Sequence, residues 1–277
     1  MTATRFAPSP TGLLHKGHAF SALTAFDLAR RSGGRFVLRI ENIDHTRCRP
    51  EFEAAIFEDL AWLGLAWETP VLRQSEHLDD YLAALETLRA KGLAYRSFKT
   101  RKQLALEALS APHGAARDVP GARPDAAEDA ARLAAGEPFA WRLDVAAAAK
   151  AAGPLTFAEQ GDGAPERGVV TVNAEAGGDV VLARKDVGVA YHLAVVVDDA
   201  LQGITHVIRG QDLFEAAHVQ RLLQALLALP TPVYRHHRLL AGPDGKRYAK
   251  RDRAETLREL RARGMTPHQL RREMGLG

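Results

Sequence analysis

The stretch PSPTGLLHKGH, residues 8–18, places two histidines on either side of a glycine where a helix is predicted to begin. Residues 4–7 before it form a short β-prone run that ends near a proline. Residues 19–31 after it carry apolar side chains at helical spacing, and residues 36–40 then read as a strand. The order strand, loop, helix, strand predicts the opening β-α-β unit of an open parallel sheet.

The remaining apolar patterns extend this unit into a larger α/β fold. Helices are predicted over residues 51–63, 78–91 and 214–229. The β-branched run at residues 190–197 is typical of a strand buried on both faces, and residues 205–209 are predicted to form the next strand. The sheet therefore resumes in the second half of the chain.

Between the two halves, the composition shifts to alanine, proline, glycine and charge, which is a poor source of hydrophobic core. We therefore predict a Rossmann-like, doubly wound parallel sheet with an inserted α/β subdomain and a short helical C-terminal segment. The predicted divisions are 1–95 for the first half of the sheet domain, 96–184 for the insertion, 185–241 for the second half, and 242–277 for a loop and short helices.

Composition limits the class of protein. With 277 residues and 46% hydrophobic content, the chain can bury a substantial core. A single cysteine, Cys48, rules out an internal disulfide and any zinc site made of cysteines alone. No apolar run approaches the roughly 20 residues of a membrane-spanning helix, and the N-terminus lacks the layout of a signal peptide. We expect a cytoplasmic protein without a membrane partner.

The histidine-glycine turn at the start of the first helix is suited to phosphate. A helix N-terminus offers unpaired N–H groups and the positive end of the helix dipole. Gly17 permits close approach of a ligand, while His15 and His18 lie three residues apart on one side of the first turn. The alternative is that the two histidines only cap or pack the helix.

A second cationic segment lies near the other end of the chain. Residues 242–252, GPDGKRYAKRD, combine a glycine-bearing turn with a dense group of basic side chains. Between residues 246 and 273 there are ten Lys or Arg and four acidic residues, which favours a polyanionic partner. The alternative for this segment is a solvated helix face balanced by nearby acids.

Together, these two segments resemble the signature elements of the class I aminoacyl-tRNA synthetases, and Lys250 matches that family's nucleotide-contacting lysine. Other stretches are similar to the glutamyl branch of the class. They are RFAPSPTG at 5–12, RIENID at 39–44, AYHLAVVVDD at 190–199 and VIRGQDL at 207–213. The resemblance covers nearly the whole chain and implies the catalytic domain of that class, with an acceptor-binding-like insertion.

The resemblance also implies a glutamate site. Arg5 and Arg209 are the candidate partners of the substrate carboxylates, because a guanidinium binds a carboxylate bidentately. Glu41 would receive the α-ammonium group, and Ser9 and the Tyr191 hydroxyl would add neutral hydrogen bonds.

The implied reaction is attack of the glutamate carboxylate on the α-phosphate of ATP, with Mg²⁺ arriving on the nucleotide. The family's pattern places His15, Gly17, His18 and Lys250 around the ATP phosphates. Their expected contribution is positioning and charge stabilisation, since the chemistry needs no protein nucleophile.

The end of the chain narrows the resemblance further. Only about 25 residues follow Asp252, so we expect no anticodon-binding domain. With Arg47 after RIENID, this resembles the glutamyl-Q tRNA(Asp) synthetases, which activate glutamate without tRNA and attach it to the queuosine base of tRNA(Asp). Many members bind zinc through a Cys-x-Cys pair, but residues 95–100 read YRSFKT, and we expect no structural zinc.

Alternatives remain open on the sequence alone. The chain could be a truncated glutamyl-tRNA synthetase that charges a tRNA 3′ end. It could also be a non-catalytic regulatory paralogue that binds glutamate or nucleotide, a reading kept open by Arg247 and by Ala249 in place of the usual serine. At individual positions, Glu41 could form a strand-end ion pair with Arg39, and Tyr191 could be a core aromatic residue.

Overall fold

A computed structural model describes residues 1–99, 123–184, 188–240 and 255–276 of the chain. In the first half, β1, α1 and β2 form the β-α-β unit that the sequence predicts, and α2 and α3 match two predicted helices. β3, which was not predicted, pairs in parallel with β2, so the strand order is β1-β2-β3. No helix in these ranges is long and apolar enough to cross a membrane. The elements of this half are β1 (Ala3–Phe6), α1 (Lys16–Arg31), β2 (Arg35–Ile40), α2 (Pro50–Trp62), β3 (Glu68–Arg73) and α3 (Leu78–Ala90).

The middle of the chain supplies strands to two sheets. Four of its strands form an antiparallel sheet in the order β4-β5-β8-β9, while β6 and β7 join the sheet that contains the later parallel strands. The insertion predicted at 96–184 therefore remains a prediction. Two strands within that range, β6 and β7, belong to the sheet that contains the later parallel strands. The elements are β4 (Ala94–Ser97), α4 (Ala126–Ala134), β5 (Ala140–Leu143), α5 (Val145–Ala152), β6 (Thr156–Glu159), β7 (Gly168–Thr171), β8 (Val180–Arg184) and β9 (Gly188–Val189).

The last part of the chain completes the parallel layer. β10 pairs in parallel with β11, which pairs with β6, and β10 lies beside β1. At that junction the Thr205 N–H donates to Ala3 O at 3.0 Å and the Ala3 N–H donates to Thr205 Oγ1 at 2.8 Å. The elements are α6 (Tyr191–Leu201), β10 (His206–Gly210), α7 (Phe214–Leu226), β11 (Val233–His237), α8 (Leu257–Ala262) and α9 (Pro267–Glu273).

The strand predicted at residues 190–197 is wrong, because these residues form the helix α6. α6 packs against α3, α7 and β8, and every residue from 193 to 199 is buried. A helix covered on all sides loses the 3.6-residue alternation of apolar and polar side chains that would mark it. A short apolar run of this kind cannot be distinguished from a buried strand by periodicity alone.

Two short C-terminal helices pack onto the first half of the fold. Leu257 and Leu260 of α8 and Leu270 of α9 are fully buried in the same cluster as Phe6 and Leu23. Each helix begins at a threonine cap whose side chain accepts an N–H from the first turn. The tail of the chain is thereby fixed beside the N-terminal end of α1.

Candidate active site

A cavity of about 380 Å³ opens at the carboxyl ends of β1, β2 and β10 and at the first turn of α1. Ligands of open α/β sheets bind at this edge, because loops and helix N-termini converge there. Seven of the residues assigned to the site from sequence line the cavity. They are Arg5, His15, Gly17, His18, Glu41, Tyr191 and Arg209.

Two other assigned residues are not part of this wall. Ser9 is exposed and is not among the lining residues. Lys250 lies outside the described residues, as do Arg247 and Ala249 of the same loop.

The first turn of α1 fixes the two histidines against each other. His15 is the N-cap, and its Nδ1 accepts the Gly17 N–H at 3.1 Å. The Nδ1 of His18 accepts the His15 N–H at 3.2 Å, and the ring centroids are 3.8 Å apart. A neutral imidazole whose Nδ1 accepts must carry its proton on Nε2. Both rings cap the helix, and each has an Nε2–H donor.

Gly17 favours this arrangement for steric reasons. A Cβ built at Gly17 would lie 3.0 Å from Cε1 of His15, which is closer than an ordinary contact. The glycine therefore allows the His15 ring to fold back over the first turn.

A buried charged cluster lies at one wall of the cavity, which two of its members, Arg5 and Glu41, line. Arg39 is fully buried and donates from Nη1 to Asp199 at 2.8 Å and from Nη2 to Glu41 at 3.2 Å. Its Nε lies 3.5 Å from Oδ2 of Asp198. Arg5 donates from Nε to Asp199 at 3.0 Å. Two cations thus face three carboxylates, which leaves one excess negative charge when all five groups are ionised.

The cluster is set up to receive a cation beside Glu41. Burial raises the pKa of Glu41, against the attraction of Arg39 and Arg5. An ammonium group in the cavity would favour the ionised carboxylate and neutralise the excess charge. The ion pair between Glu41 and Arg39 that the sequence left as an alternative is present, and Glu41 also lines the cavity.

Arg209 projects from β10 on another side of the cavity. Its Nη1 donates to Gln220 Oε1 at 2.8 Å and lies 3.5 Å from the Tyr191 hydroxyl. Its Nε donates to Nε2 of His236 at 2.9 Å, and its buried Nη2 has no hydrogen-bond partner within the described part of the chain. Since an unpaired buried donor is costly, Nη2 is a candidate contact for an anionic ligand group.

Several residues of this site were missed by sequence reasoning. Asp198 accepts hydrogen bonds from Gln74 and Tyr81 at 2.7 and 2.6 Å, and Asp199 joins the two arginines. His236 was also missed. Two signals were available in the sequence. One is the acidic pair at 198–199, directly after an apolar run, and the other is the histidine pair at 236–237, at the end of a strand.

The segment where relatives carry a Cys-x-Cys pair is held by other contacts. Arg96 forms an ion pair with Asp129 of α4, and its guanidinium lies 5.3 Å from the ring centre of Trp141. Ser97 is buried, and its Oγ has no hydrogen-bond partner among the residues that the structure describes. The absence of structural zinc stays a prediction.

Comparison with known proteins places the whole chain beside tRNA synthetases. Residues 1–276 match the family model described as tRNA synthetases class I (E and Q), catalytic domain. The chain is 48% identical to the glutamyl-Q tRNA(Asp) synthetase of Rhodobacter capsulatus, with 99% of both chains covered. It is 42% identical to that of Symbiobacterium thermophilum, with 96% of this chain and 83% of the relative covered.

A solved structure supports the same fold. The crystal structure of a glutamate tRNA ligase from Elizabethkingia meningosepticum superposes with a TM-score of 0.71 at 30% identity. The match covers 91% of this chain and 52% of that ligase, so the chain spans about half its length.

Proposed function

Since this chain belongs to the class I tRNA synthetases and, within them, to the glutamyl-Q tRNA(Asp) synthetases, we propose that it activates L-glutamate with ATP and transfers it to the queuosine base of tRNA(Asp). The observation that carries this proposal is the polarity of the cavity. Its wall at Glu41 carries one excess negative charge when the five-membered cluster is fully ionised, while the Nη2 donor of Arg209 has no partner among the described residues. A zwitterionic amino acid with a second carboxylate complements both features.

We assign the substrate groups accordingly. The α-ammonium binds beside Glu41, and a glutamate carboxylate binds to Nη2 of Arg209 and to the Tyr191 hydroxyl. Arg5 lines the same cavity, but its Nε and Nη2 donate to Asp199 and its Nη1 donates to Ile208 O, so it contributes charge rather than a free guanidinium fork. Ser9 remains a proposed neutral contact.

The nucleotide is assigned to the first turn of α1. His15 and His18 there carry the tautomer that donates from Nε2, and the helix dipole favours negative charge. MgATP enters as substrate, with Lys250 proposed as a further phosphate contact.

The reaction then requires no covalent bond to the protein. A carboxylate oxygen of glutamate bonds to the α-phosphorus of ATP, and the bond from that phosphorus to the pyrophosphate oxygen breaks. The products are glutamyl-adenylate and pyrophosphate. Charge builds on the phosphate oxygens as the bond breaks, and donors fixed in advance stabilise it without reorganisation.

The acceptor is proposed from the relatives that match along most of their length. The acyl group would pass from the adenylate to a hydroxyl of the queuosine base, releasing AMP. This reaction draws on ATP and tRNA, and the proposed location is the cytoplasm.

Pyrophosphate exchange into ATP tests the activation step. Exchange that depends on glutamate and needs no tRNA is the expected result, whereas a glutamate-binding regulator would give none. A charging assay then tests the acceptor. Glutamate appearing as an ester at the 3′ end of tRNA(Glu), with none on queuosine-containing tRNA(Asp), would contradict the proposal.

Substitution of Arg209 tests the carboxylate assignment. Arg209→Leu is expected to raise the glutamate KM by about 100-fold, since a hydrogen bond to a charged group contributes roughly 1.5–3 kcal/mol and the leucine also removes the charge. Arg221→Leu is the matched control, because the Arg221 side chain lies on the exposed side of α7, where its Nε donates to Thr156 O. Lys250→Ala is expected to slow adenylate formation more than it raises the glutamate KM.

A further inference from the structure

Arg209 is held in place by side chains that do not line the cavity. Gln220 accepts from its Nη1 at 2.8 Å and His236 accepts from its Nε at 2.9 Å. Neither Gln220 nor His236 is among the cavity-lining residues. Residues outside the cavity lining thus hold the guanidinium at Nε and Nη1, and Nη2 is the nitrogen left for a ligand.

His236 can accept from Arg209 only in one protonation state. Its ring Nδ1 lies 2.5 Å from Oε2 of Glu159, and both side chains are fully buried. Burial lowers the pKa of His236, which favours the neutral ring. A neutral ring that accepts at Nε2 must hold its proton on Nδ1 and donate it to Glu159.

Glu159 is itself confined to the role of acceptor. Its Oε1 accepts the Gly161 N–H at 2.6 Å and the His236 N–H at 3.0 Å. The hydrogen bonds from His236 and Gly161 lower the pKa of Glu159 despite its burial. The carboxylate therefore stays ionised and compensates the buried charge of Arg209 across the imidazole.

The backbone around this pair is packed too closely to permit much adjustment. A Cβ built at Gly161 would lie 2.1 Å from the backbone O of His236, so only glycine fits there. The His236 ring stacks parallel to Tyr234 at 5.9 Å and meets Phe214 edge-on at 5.3 Å. The imidazole consequently has one available orientation.

We propose that Glu159 and His236 are positioning residues for substrate recognition, which fix the guanidinium of Arg209 so that it presents only Nη2 to the ligand carboxylate. The Tyr191 hydroxyl oxygen faces Nη1, so its own proton is available to the same ligand. Both groups therefore offer a donor to the ligand. A carboxylate satisfies both donors, whereas a carboxamide would place an NH₂ group against one of them.

This inference rests on the proposed function for the identity of the ligand, but its central feature is a proton position that can be measured without any substrate. Nitrogen-15 spectra of the imidazole rings report which nitrogen carries the proton. In the unsubstituted protein, His236 is expected to be protonated on Nδ1. A ring protonated on Nε2 would overturn the inference.

Glu159→Gln is the sharpest perturbation because it changes almost no volume. The glutamine Oε1 can keep both backbone N–H bonds, and its NH₂ group then faces Nδ1 of His236. The imidazole would have to move its proton to Nε2, which places one donor against the Nε–H of Arg209. We expect the altered tautomer in the nitrogen-15 spectrum and a glutamate KM raised by about 10- to 100-fold, as for loss of a hydrogen bond to a charged group.

His236 gives the complementary series. His236→Leu is expected to raise the glutamate KM by about 10- to 100-fold, with the ATP KM and kcat changed by less than about threefold. His236→Gln can both donate and accept, and its KM should lie between those of the leucine variant and the parent. Discrimination of glutamate from glutamine in the exchange assay should be weaker in His236→Gln than in the parent, and weakest in His236→Leu.

His218→Leu is the matched control for loss of a buried histidine. His218 also contacts the Phe214 ring, at 5.4 Å, but none of its contacts involves Arg209. It is expected to lower stability while leaving the glutamate KM unchanged. A glutamate KM within twofold of the parent in both Glu159→Gln and His236→Leu would overturn the inference. Absence of glutamate-dependent exchange in the parent would instead refute the proposed function. The nitrogen-15 measurement would still decide whether His236 is protonated on Nδ1.

Discussion

Arg39 provides a quantitative test of the charged wall, because its side chain is fully buried between three carboxylates. Arg39→Met keeps most of the side-chain volume and removes the charge. It leaves Arg5 as the one cation facing Glu41, Asp198 and Asp199 in the cluster described above. Removing one partner of a buried ionic group is expected to lower the free energy of unfolding by about 3–5 kcal/mol at pH 7.

The penalty should depend on pH in a defined direction. Without Arg39, the pKa values of all three carboxyls in the folded protein rise. Burial already holds the pKa values of Glu41 and Asp198 above their usual range, and these move further above the unfolded values near 4. The pKa of Asp199, which Arg5 and Arg39 hold below its usual value despite burial, rises as well. The folded variant then binds more protons than its unfolded state, so its stability falls as pH rises from about 4 towards 7. At pH 4 the carboxyls are largely protonated, and the penalty should shrink to about 1–2 kcal/mol for the lost hydrogen bonds.

Urea unfolding followed by tryptophan fluorescence measures both quantities, since the chain has three tryptophans. Arg35→Met on the same strand is the control, because Arg35 pairs with Glu68 at the surface. Its effect should stay within about 1 kcal/mol. The reasoning is refuted if Arg39→Met costs the same at pH 4 and pH 7, or costs no more than the control.

Three further substitutions test other parts of the structure. Burial raises the pKa of Asp59 to about 6, so the folded state loses stability as pH rises from about 4 to 6. Asp59→Asn should therefore raise the free energy of unfolding at pH 7 by up to about 3 kcal/mol, and a gain that persists undiminished at pH 4 would contradict this. Gly17→Ala should displace the His15 ring and raise the ATP KM in the exchange assay; an unchanged value would show that the ring does not contact the nucleotide. Tyr191→Phe should raise the glutamate KM by about 2- to 10-fold and leave the ATP KM unaffected, and equal effects on both would remove the hydroxyl from the glutamate site.

The helices of the N-terminal half followed from the sequence because each is exposed on one side, whereas the strand β3 was not predicted. The apolar spacing of α1 and the glycines after it predicted the helix, and the structure has it at Lys16–Arg31. α6 could not be predicted in the same way. Its burial on every face removes the periodic signal, and a strand and a helix then have the same apolar pattern.

Sequence motifs predicted part of the site. They did not predict the contacts between residues that are distant in the chain. The motifs pointed to Arg5, Glu41 and Arg209, and all three line one cavity. Nothing in their spacing indicated that Arg5 is paired with Asp199, about two hundred residues away in the chain, or that His236 holds Arg209 from behind. Such partners come from strands and helices that meet only after folding.

The sequence by itself determined the family, the first β-α-β unit and the residue types proposed to meet the substrate. These depend on local patterns and on residues within short motifs. The tertiary structure decided the helical state of α6, the pairing of two cations with three carboxylates around Glu41, and which nitrogen of Arg209 has no partner in the described part of the chain. Each of these is set by neighbours distant in sequence, because burial and hydrogen-bond pairing, rather than residue type, decide which polar atoms are left to act.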